Sequence, residues 1–146
     1  MITLHAARKI LIMGLPGAGK TTLATILAPR SNAVLFNADE VRANLEPDLG
    51  FSLADRIAHA RRMGWLCDCV VRSGHTAIAD FICPTPETRA AFGNAFTIFV
   101  DRIAKGRFED TNRLFTPPQS YDLRVTPDGT PLEWAEKIIA LLERGG

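Results

Sequence analysis

The sequence predicts a single α/β domain over residues 1–146, a three-layer fold in which a five-stranded, mostly parallel sheet is flanked by helices. Three observations lead there. Short apolar runs alternate with helix-period segments from end to end, the pattern of strands that crossover helices bury on both faces. The chain has 146 residues, 47% of them hydrophobic and 23% charged, enough to bury one core without disulfides or a structural metal. No internal repeat, low-complexity tract or linker-like stretch divides it.

The elements follow in order. Ile10-Leu11-Ile12-Met13 is a fully buried strand, followed by a glycine-rich turn and a helix from about Lys20 that should end near Pro29. Val34-Leu35-Phe36 is the second strand; after Asn37-Ala38-Asp39 a short helix runs to about Leu45, closed by Pro47 and the Asp48-Leu49-Gly50 turn. Ser52 followed by Asp55 opens the longest helix, whose Leu53, Ile57, Ala60, Cys67 and Val71 recur at helical spacing up to Gly74. Thr76 to Ile82 is the third strand, and Thr85-Pro86-Glu87 caps a helix through about Phe92. Phe96 to Val100 is the fourth strand. The charged, aperiodic segment from Asp101 to Pro118 reads as mostly loop, and Tyr121 to Val125 as a short fifth strand. Thr130, Pro131 and Glu133 open a last helix that buries Leu132, Ile138, Ile139, Leu141 and Leu142 on one side and stops at Gly145. That apolar side is served equally by packing within the monomer or by a homodimer.

Charge and cysteine usage narrow the function. Lysine and arginine number 17 against 16 acids, a net charge of +1, which gives little grip on a nucleic-acid backbone and argues against such a partner. Cys67, Cys69 and Cys83 form an odd set with no zinc-site spacing, as expected of free thiols in a reducing compartment. The apolar run after Arg8-Lys9 is too short for a signal-peptide core or a membrane span, so the expected location is cytoplasmic. His5 and His75 have no evident partner and read as surface residues.

The chemistry concentrates at Gly14-Leu15-Pro16-Gly17-Ala18-Gly19-Lys20-Thr21, which matches G-x-x-x-x-G-K-[ST] between a buried strand and a helix. Glycines let successive N–H groups converge on phosphate oxygens, and the helix start adds partial positive charge. Lys20 would neutralise the β and γ phosphates, Thr21 would ligate Mg²⁺, and Thr22 completes the loop's reach. This implies a nucleoside triphosphate site. Asp39 stands just past the second strand, where the carboxyl ends of parallel strands gather ligands; it could orient Mg²⁺, accept a hydroxyl proton, or cap its helix. Arg42, Arg56, Arg61, Arg62 and Arg89, as a group beside a phosphate loop, favour an anionic acceptor.

The runs G-L-P-G-A-G-K-T-T-L-A at Gly14 to Ala24, N-A-D-E-V-R at Asn37 to Arg42, D-L-G-F-S at Asp48 to Ser52, Asp55-Arg56, Arg61-Arg62 and F-I-C-P at Phe81 to Pro84 together resemble the adenylyl-sulfate kinases. The resemblance implies a P-loop kinase fold, ATP and Mg²⁺ as cofactors, and transfer of the γ-phosphate to the 3′-hydroxyl of adenosine 5′-phosphosulfate. By position, Lys20 and Asp39 are then the catalytic pair and Thr21 and Asp39 the metal-associated residues. Arg42 and Arg56 would clamp the phosphosulfate and Phe51 would pack on the acceptor's adenine. His59, Ile82 and Cys83 would complete the acceptor pocket. The chain departs from the family pattern at several places. Asn37-Ala38-Asp39-Glu40 stands for the usual D-G-D-N, removing a carboxylate; His59 stands for an asparagine, Ala58 for a glutamate and Cys83 for a serine, and Pro86 removes an arginine. A short stretch, Lys105 to Arg113, replaces a long basic lid, leaving Arg102, Arg107 and Arg113 as candidate lid cations. Two alternatives stay open on these grounds: a kinase of the same fold for another small hydroxyl compound, and a non-catalytic ATP-binding regulatory module.

Overall fold

Successive side chains of the first strand, all apolar from Ile10 to Met13, point to opposite faces of the sheet, so its two faces need two separate coverings. The computed structural model, which describes residues 6–106 and 108–145, supplies both. Five strands, β1 (Lys9–Met13), β2 (Ala33–Asn37), β3 (Thr76–Asp80), β4 (Phe96–Val100) and β5 (Leu123–Val125), form one sheet in the order β2-β3-β1-β4-β5. Every pairing is parallel. The helices among the described residues are α1 (Lys20–Arg30), α2 (Ala38–Leu45), α3 (Leu53–Arg72), α4 (Pro86–Phe92), α5 (Glu109–Leu114) and α6 (Pro131–Arg144).

On one face, Ile10, Ile12, Ile78 and Ile98 pack against Leu23, Ala24 and Leu27 of α1 and Ala135 and Ile138 of α6. On the other, Leu11, Met13, Ala77, Ala79 and Phe99 pack against Ala60, Met63 and Cys67 of α3 and Phe92 of α4. The α3–α4 approach depends on Gly64: a Cβ there would lie 2.2 Å from the Phe92 carbonyl oxygen. Side-chain caps start four helices, with Asn37, Ser52, Thr85 and Thr130 each accepting a backbone N–H three residues on.

Several expectations need correction. Helix α1 does end near Pro29, at Arg30, where the Ser31 N–H closes on the Leu27 carbonyl at 3.0 Å; the departures lie elsewhere. The third strand stops at Asp80 and the fifth begins at Leu123, where pairing with β2 and β4 ends or starts. Segment 101–118 contains α5, a helix too short for a periodic signal and held by tertiary bonds. Leu53 and Leu132, each at the first turn of its helix, are 42% exposed rather than core. On the α6 apolar side, Ile138, Ile139 and Leu142 pack within the chain against the α1 face of the sheet.

Candidate active site

Chain direction reverses beside β1: α1 carries the chain to β2 on one side, whereas β3 leads to β4 on the other. Ligands of open parallel sheets bind at such switch points, outside the carboxyl ends of the strands. A cavity of about 820 Å³ lies there, lined from the turn after β1, the first turn of α1, the ends of β2 and β3, and from α2, α3 and α5.

The glycine-rich turn forms its floor. Gly14, Gly17 and Gly19 all take positive φ, at 150°, 86° and 101°. A side chain at Gly14 would also meet the Val100 carbonyl at 2.5 Å. Gly19 caps α1 without a side-chain acceptor, so the first N–H groups of the helix are left for an anion. Pro16, Gly17, Gly19, Lys20, Thr21 and Thr22 line the cavity; Gly14, Leu15 and Ala18 do not, and shape the turn from beneath. Lys20 is buried and donates from Nζ to the Leu15 carbonyl at 2.9 Å, which curls its ammonium back over the loop. Arg102 approaches from above, its Nη1 3.4 Å from where a Gly19 Cβ would sit, with its Nε buried and unpartnered.

At the far end, Phe51 is 67% exposed, so it is not a core phenylalanine. The Arg42 and Arg56 guanidiniums lie 4.4 and 5.5 Å from its ring centre. Both are held by loop carbonyls, Arg42 by Gly50 at 2.9 Å and Arg56 by Phe51 at 3.0 Å, and Arg56 also reaches the Thr111 hydroxyl at 3.2 Å. Burial lowers the pKa of each guanidinium, yet neither loses its charge at neutral pH. Asp39 is in the first turn of α2 and faces the cavity; Asn37, not Asp39, caps that helix by accepting the Glu40 N–H at 3.2 Å.

His59 is buried in the cavity wall. Its Nδ1 meets Glu46 Oε1 at 2.5 Å, its Nε2 is buried without a partner, and Phe81 stands edge-on at 5.4 Å. Burial holds the imidazole pKa below its ordinary value, Arg42 and Arg56 add to that, and the Glu46 bond opposes it. Ile82 and Cys83 complete this wall, Cys83 in a left-handed conformation (φ 48°) with its thiol pushed up to about 12 by burial.

The structure does not gather every expected arginine. Arg61 is exposed on α3, Arg62 pairs with Glu46 and Asp48, and Arg89 donates to the Cys83 and Thr116 carbonyls, all outside the cavity lining. On α3, Arg61 points away from the face that carries Arg56 and His59, whereas Arg62, one turn beyond His59, is drawn to the Glu46 and Asp48 carboxylates. Arg113 pairs with Asp110 across one exposed turn of α5 and does not line the site. His5 and Arg107 lie outside the described residues. Sequence reasoning also missed residues. Asp80, at the end of β3, accepts from the Thr21 hydroxyl at 2.9 Å and the Asn37 amide at 3.0 Å. An acid ending an apolar strand beside a phosphate loop was the available signal. Glu46, and the wall formed by Phe108, Asp110 and Thr111, had no signal in spacing alone.

Comparison with known proteins agrees with this geometry. Residues 6–104 match the family model for adenylylsulphate kinase. The bifunctional enzyme CysN/CysC of Mycobacterium tuberculosis H37Rv is 30% identical over 162 positions, covering 89% of this chain and 26% of that protein. The adenylyl-sulfate kinase of Deinococcus deserti is 36% identical over 103 positions, 64% of this chain and 57% of the relative. The chain thus spans about a quarter of the bifunctional relatives and little more than half of this single-activity one. The solved APS kinase CysC of Mycobacterium tuberculosis in complex with AMPPNP and APS superposes with a TM-score of 0.82 at 26% identity, over 95% of this chain and 99% of that one. Shikimate kinase from Aquifex aeolicus, at 0.62 and 16% over 94% and 97%, shares the fold.

Proposed function

The chain belongs to the adenylylsulphate kinase family, and from that premise we propose that it transfers the γ-phosphoryl group of ATP to the 3′-hydroxyl of adenosine 5′-phosphosulfate. On this reading residues 1–146 act as one nucleotide-binding kinase domain in the cytoplasm. Among the described residues no helix is long and apolar enough to cross a membrane.

One observation carries the reading: a single cavity holds the phosphate loop together with an exposed aromatic ring flanked by two guanidiniums. Phosphoryl transfer needs charge neutralisation and in-line placement more than covalent chemistry, and these are the parts for it. The loop from Gly14 to Thr22 holds the triphosphate through the N–H groups of its cavity-lining residues Gly17, Gly19, Lys20, Thr21 and Thr22, and Lys20 counters the charge that develops on it. Phe51 stacks on the acceptor's adenine, Arg42 and Arg56 hold the phosphosulfate oxygens, and His59, Ile82 and Cys83 shape the rest of the pocket. Asp39 orients the attacking hydroxyl and accepts its proton. The Thr21 hydroxyl and the Asp39 and Asp80 carboxylates offer only oxygen donors beside the loop, a set that fits Mg²⁺. Thr21 and Asp39 would hold the ion, which when bound neutralises charge between the β and γ phosphates.

The test is acceptor-dependent ADP release from MgATP, with adenosine 5′-phosphosulfate beside a panel of nucleotides and small alcohols, and the product's mass measured. A 3′-phosphorylated product formed well above the ATP hydrolysis rate, and lost by orders of magnitude in Lys20→Ala, is expected. A second reading, another small hydroxyl acceptor, is favoured by His59 in the wall and the six-residue α5. A faster reaction with one of the alcohols would select it.

A further inference from the structure

Two buried titratable residues have no part in the transfer chemistry so far: Glu46, at the C-cap of α2, and His59, in the second turn of α3, which are 2% and 4% exposed. The turn between the two helices sets Glu46 Oε1 against His59 Nδ1 at 2.5 Å, and Arg62 Nη1 lies 3.4 Å from the other carboxylate oxygen. A carboxylate only accepts, so Glu46 holds a proton on Nδ1 and fixes the tautomer. In the neutral ring Nε2 is then a bare lone pair, and only in the imidazolium is it an N–H. That Nε2 is buried with no partner among the described residues, in a side chain that lines the cavity. A buried polar atom without a protein partner points to one supplied by what the cavity binds.

The surrounding charges say which kind of group that is. Arg56 stands one turn before His59 on α3, Arg42 one turn before Glu46 on α2, and both guanidiniums flank the Phe51 ring in the same cavity. The acids near them, Asp39 and Asp55 by Arg42 and Asp110 of α5 by Arg56, face the arginines, and the end of β3 sets only the uncharged Phe81 ring against the imidazole. A third positive charge beside two guanidiniums is unfavourable, and burial adds to that, so the imidazole stays neutral at pH 7. An anion held by the arginines reverses the balance. It cancels their field, it is repelled by a bare lone pair and bonded by an N–H, and Glu46 supports the imidazolium from behind.

We propose that Glu46 is a positioning residue of the acceptor pocket, acting through His59, and that His59 becomes a third contact for the acceptor's anionic group, beside Arg42 and Arg56, by taking up a proton as the anion binds. The proposal deepens the acceptor reading and rests on it for the anion's identity; the proton linkage itself needs only an anion on the arginines.

The probes are adenosine 5′-phosphosulfate and inorganic sulfate, neither of which takes up a proton of its own near neutrality, titrated by calorimetry into protein whose phosphate loop is filled with MgADP. Repeating the titrations in two buffers of different ionisation heat counts the protons. An anion beside the imidazole favours its charged form about 10- to 100-fold, so binding should draw in protons and tighten by about 10-fold from pH 8 to 5.5. His59→Asn keeps a donor that cannot titrate, and its affinity should stay within about twofold over that range with no uptake. Glu46→Gln should keep less than about threefold of the gain; an affinity lowered by one factor at every pH is what a packing role predicts, and it overturns the part given to Glu46. Wild type without proton uptake, or His59→Asn with the wild-type pH slope, overturns the proposal. Sulfate bound with uptake by a protein that does not bind adenosine 5′-phosphosulfate would sink the acceptor reading and leave this site standing. Phosphorylation of adenosine 5′-phosphosulfate with no proton uptake on its binding would sink this proposal alone.

Discussion

Gly64→Ala sets two effects against each other whose sizes can be compared. Alanine at a mid-helix position improves helix propensity by about 1 kcal/mol over glycine. Against that, the new methyl would lie 2.2 Å from the Phe92 carbonyl oxygen and 3.0 Å from its carbonyl carbon. Relief needs a shift of about 1 Å, and the obstacle is backbone at the end of α4 rather than a flexible side chain. Overpacking of this kind costs about 1–3 kcal/mol. The same carbonyl also accepts from Lys9 Nζ at 2.6 Å, so moving it strains a charged hydrogen bond, worth a further 1–2 kcal/mol or so. The net expectation is a loss of about 1–4 kcal/mol, or a melting temperature lower by roughly 3–12 °C for a chain of this length. Circular-dichroism melts of the two proteins, with urea titrations for the free energy, measure it. A variant that melts at or above wild type would refute the reasoning, because propensity would then have beaten the α3–α4 contact.

Three other expectations can be checked directly. Burial holds the His59 imidazole below its ordinary pKa of 6.5, so in the window between the folded and unfolded values the unfolded chain binds more protons. Its contribution is therefore intact above about pH 6.5 and lost as pH falls through the folded value; His59→Asn should flatten the decline in urea midpoint from pH 7 to 5, and an unchanged slope would count against it. Phe51→Ala should leave stability within about 0.5 kcal/mol, given its exposure, yet raise the acceptor KM about 5- to 150-fold through lost stacking; equal KM values would remove Phe51 from the pocket. Burial pushes the Cys67 and Cys83 thiols up to about 12 whereas Cys69 is half-buried, so a maleimide at neutral pH should label Cys69 first, as peptide mapping would show.

What the sequence made legible was whatever is local. The phosphate loop is a contiguous motif whose glycines do their work through their own φ angles, and the caps at Ser52, Thr85 and Thr130 bond three residues away. The apolar strands were readable because parallel strands covered on both faces need no alternation. What stayed hidden depends on distance along the chain. Asp80 gains meaning only from a register that pairs it with Asn37, 43 residues earlier. Glu46 reads as an ordinary acid after a short helix until α3 lays His59 against it and closes it off from water. Helix α5 is six residues long and owes its place to contacts such as Asn112 with Gly106 and Thr111 with Arg56. The arginine group was overcounted because Arg61 stands on another side of α3, while Arg62 and Arg89 are taken up by carboxylate and carbonyl partners outside the cavity lining.

The strand order has a consequence for how the protein is made. Central β1 has β3 and β4 as its neighbours, and neither is adjacent to it in the chain. Some sixty residues separate the end of β1 from the start of β3, so at about 5–20 residues per second a ribosome takes roughly 3–12 s to supply the first partner. Through that interval Ile10-Leu11-Ile12-Met13 is an apolar segment with no hairpin open to it, shielded first by α1 on one face and only later by α3 on the other. The strand that later holds both cores together is thus the first strand of this fold to need cover from a nascent-chain chaperone.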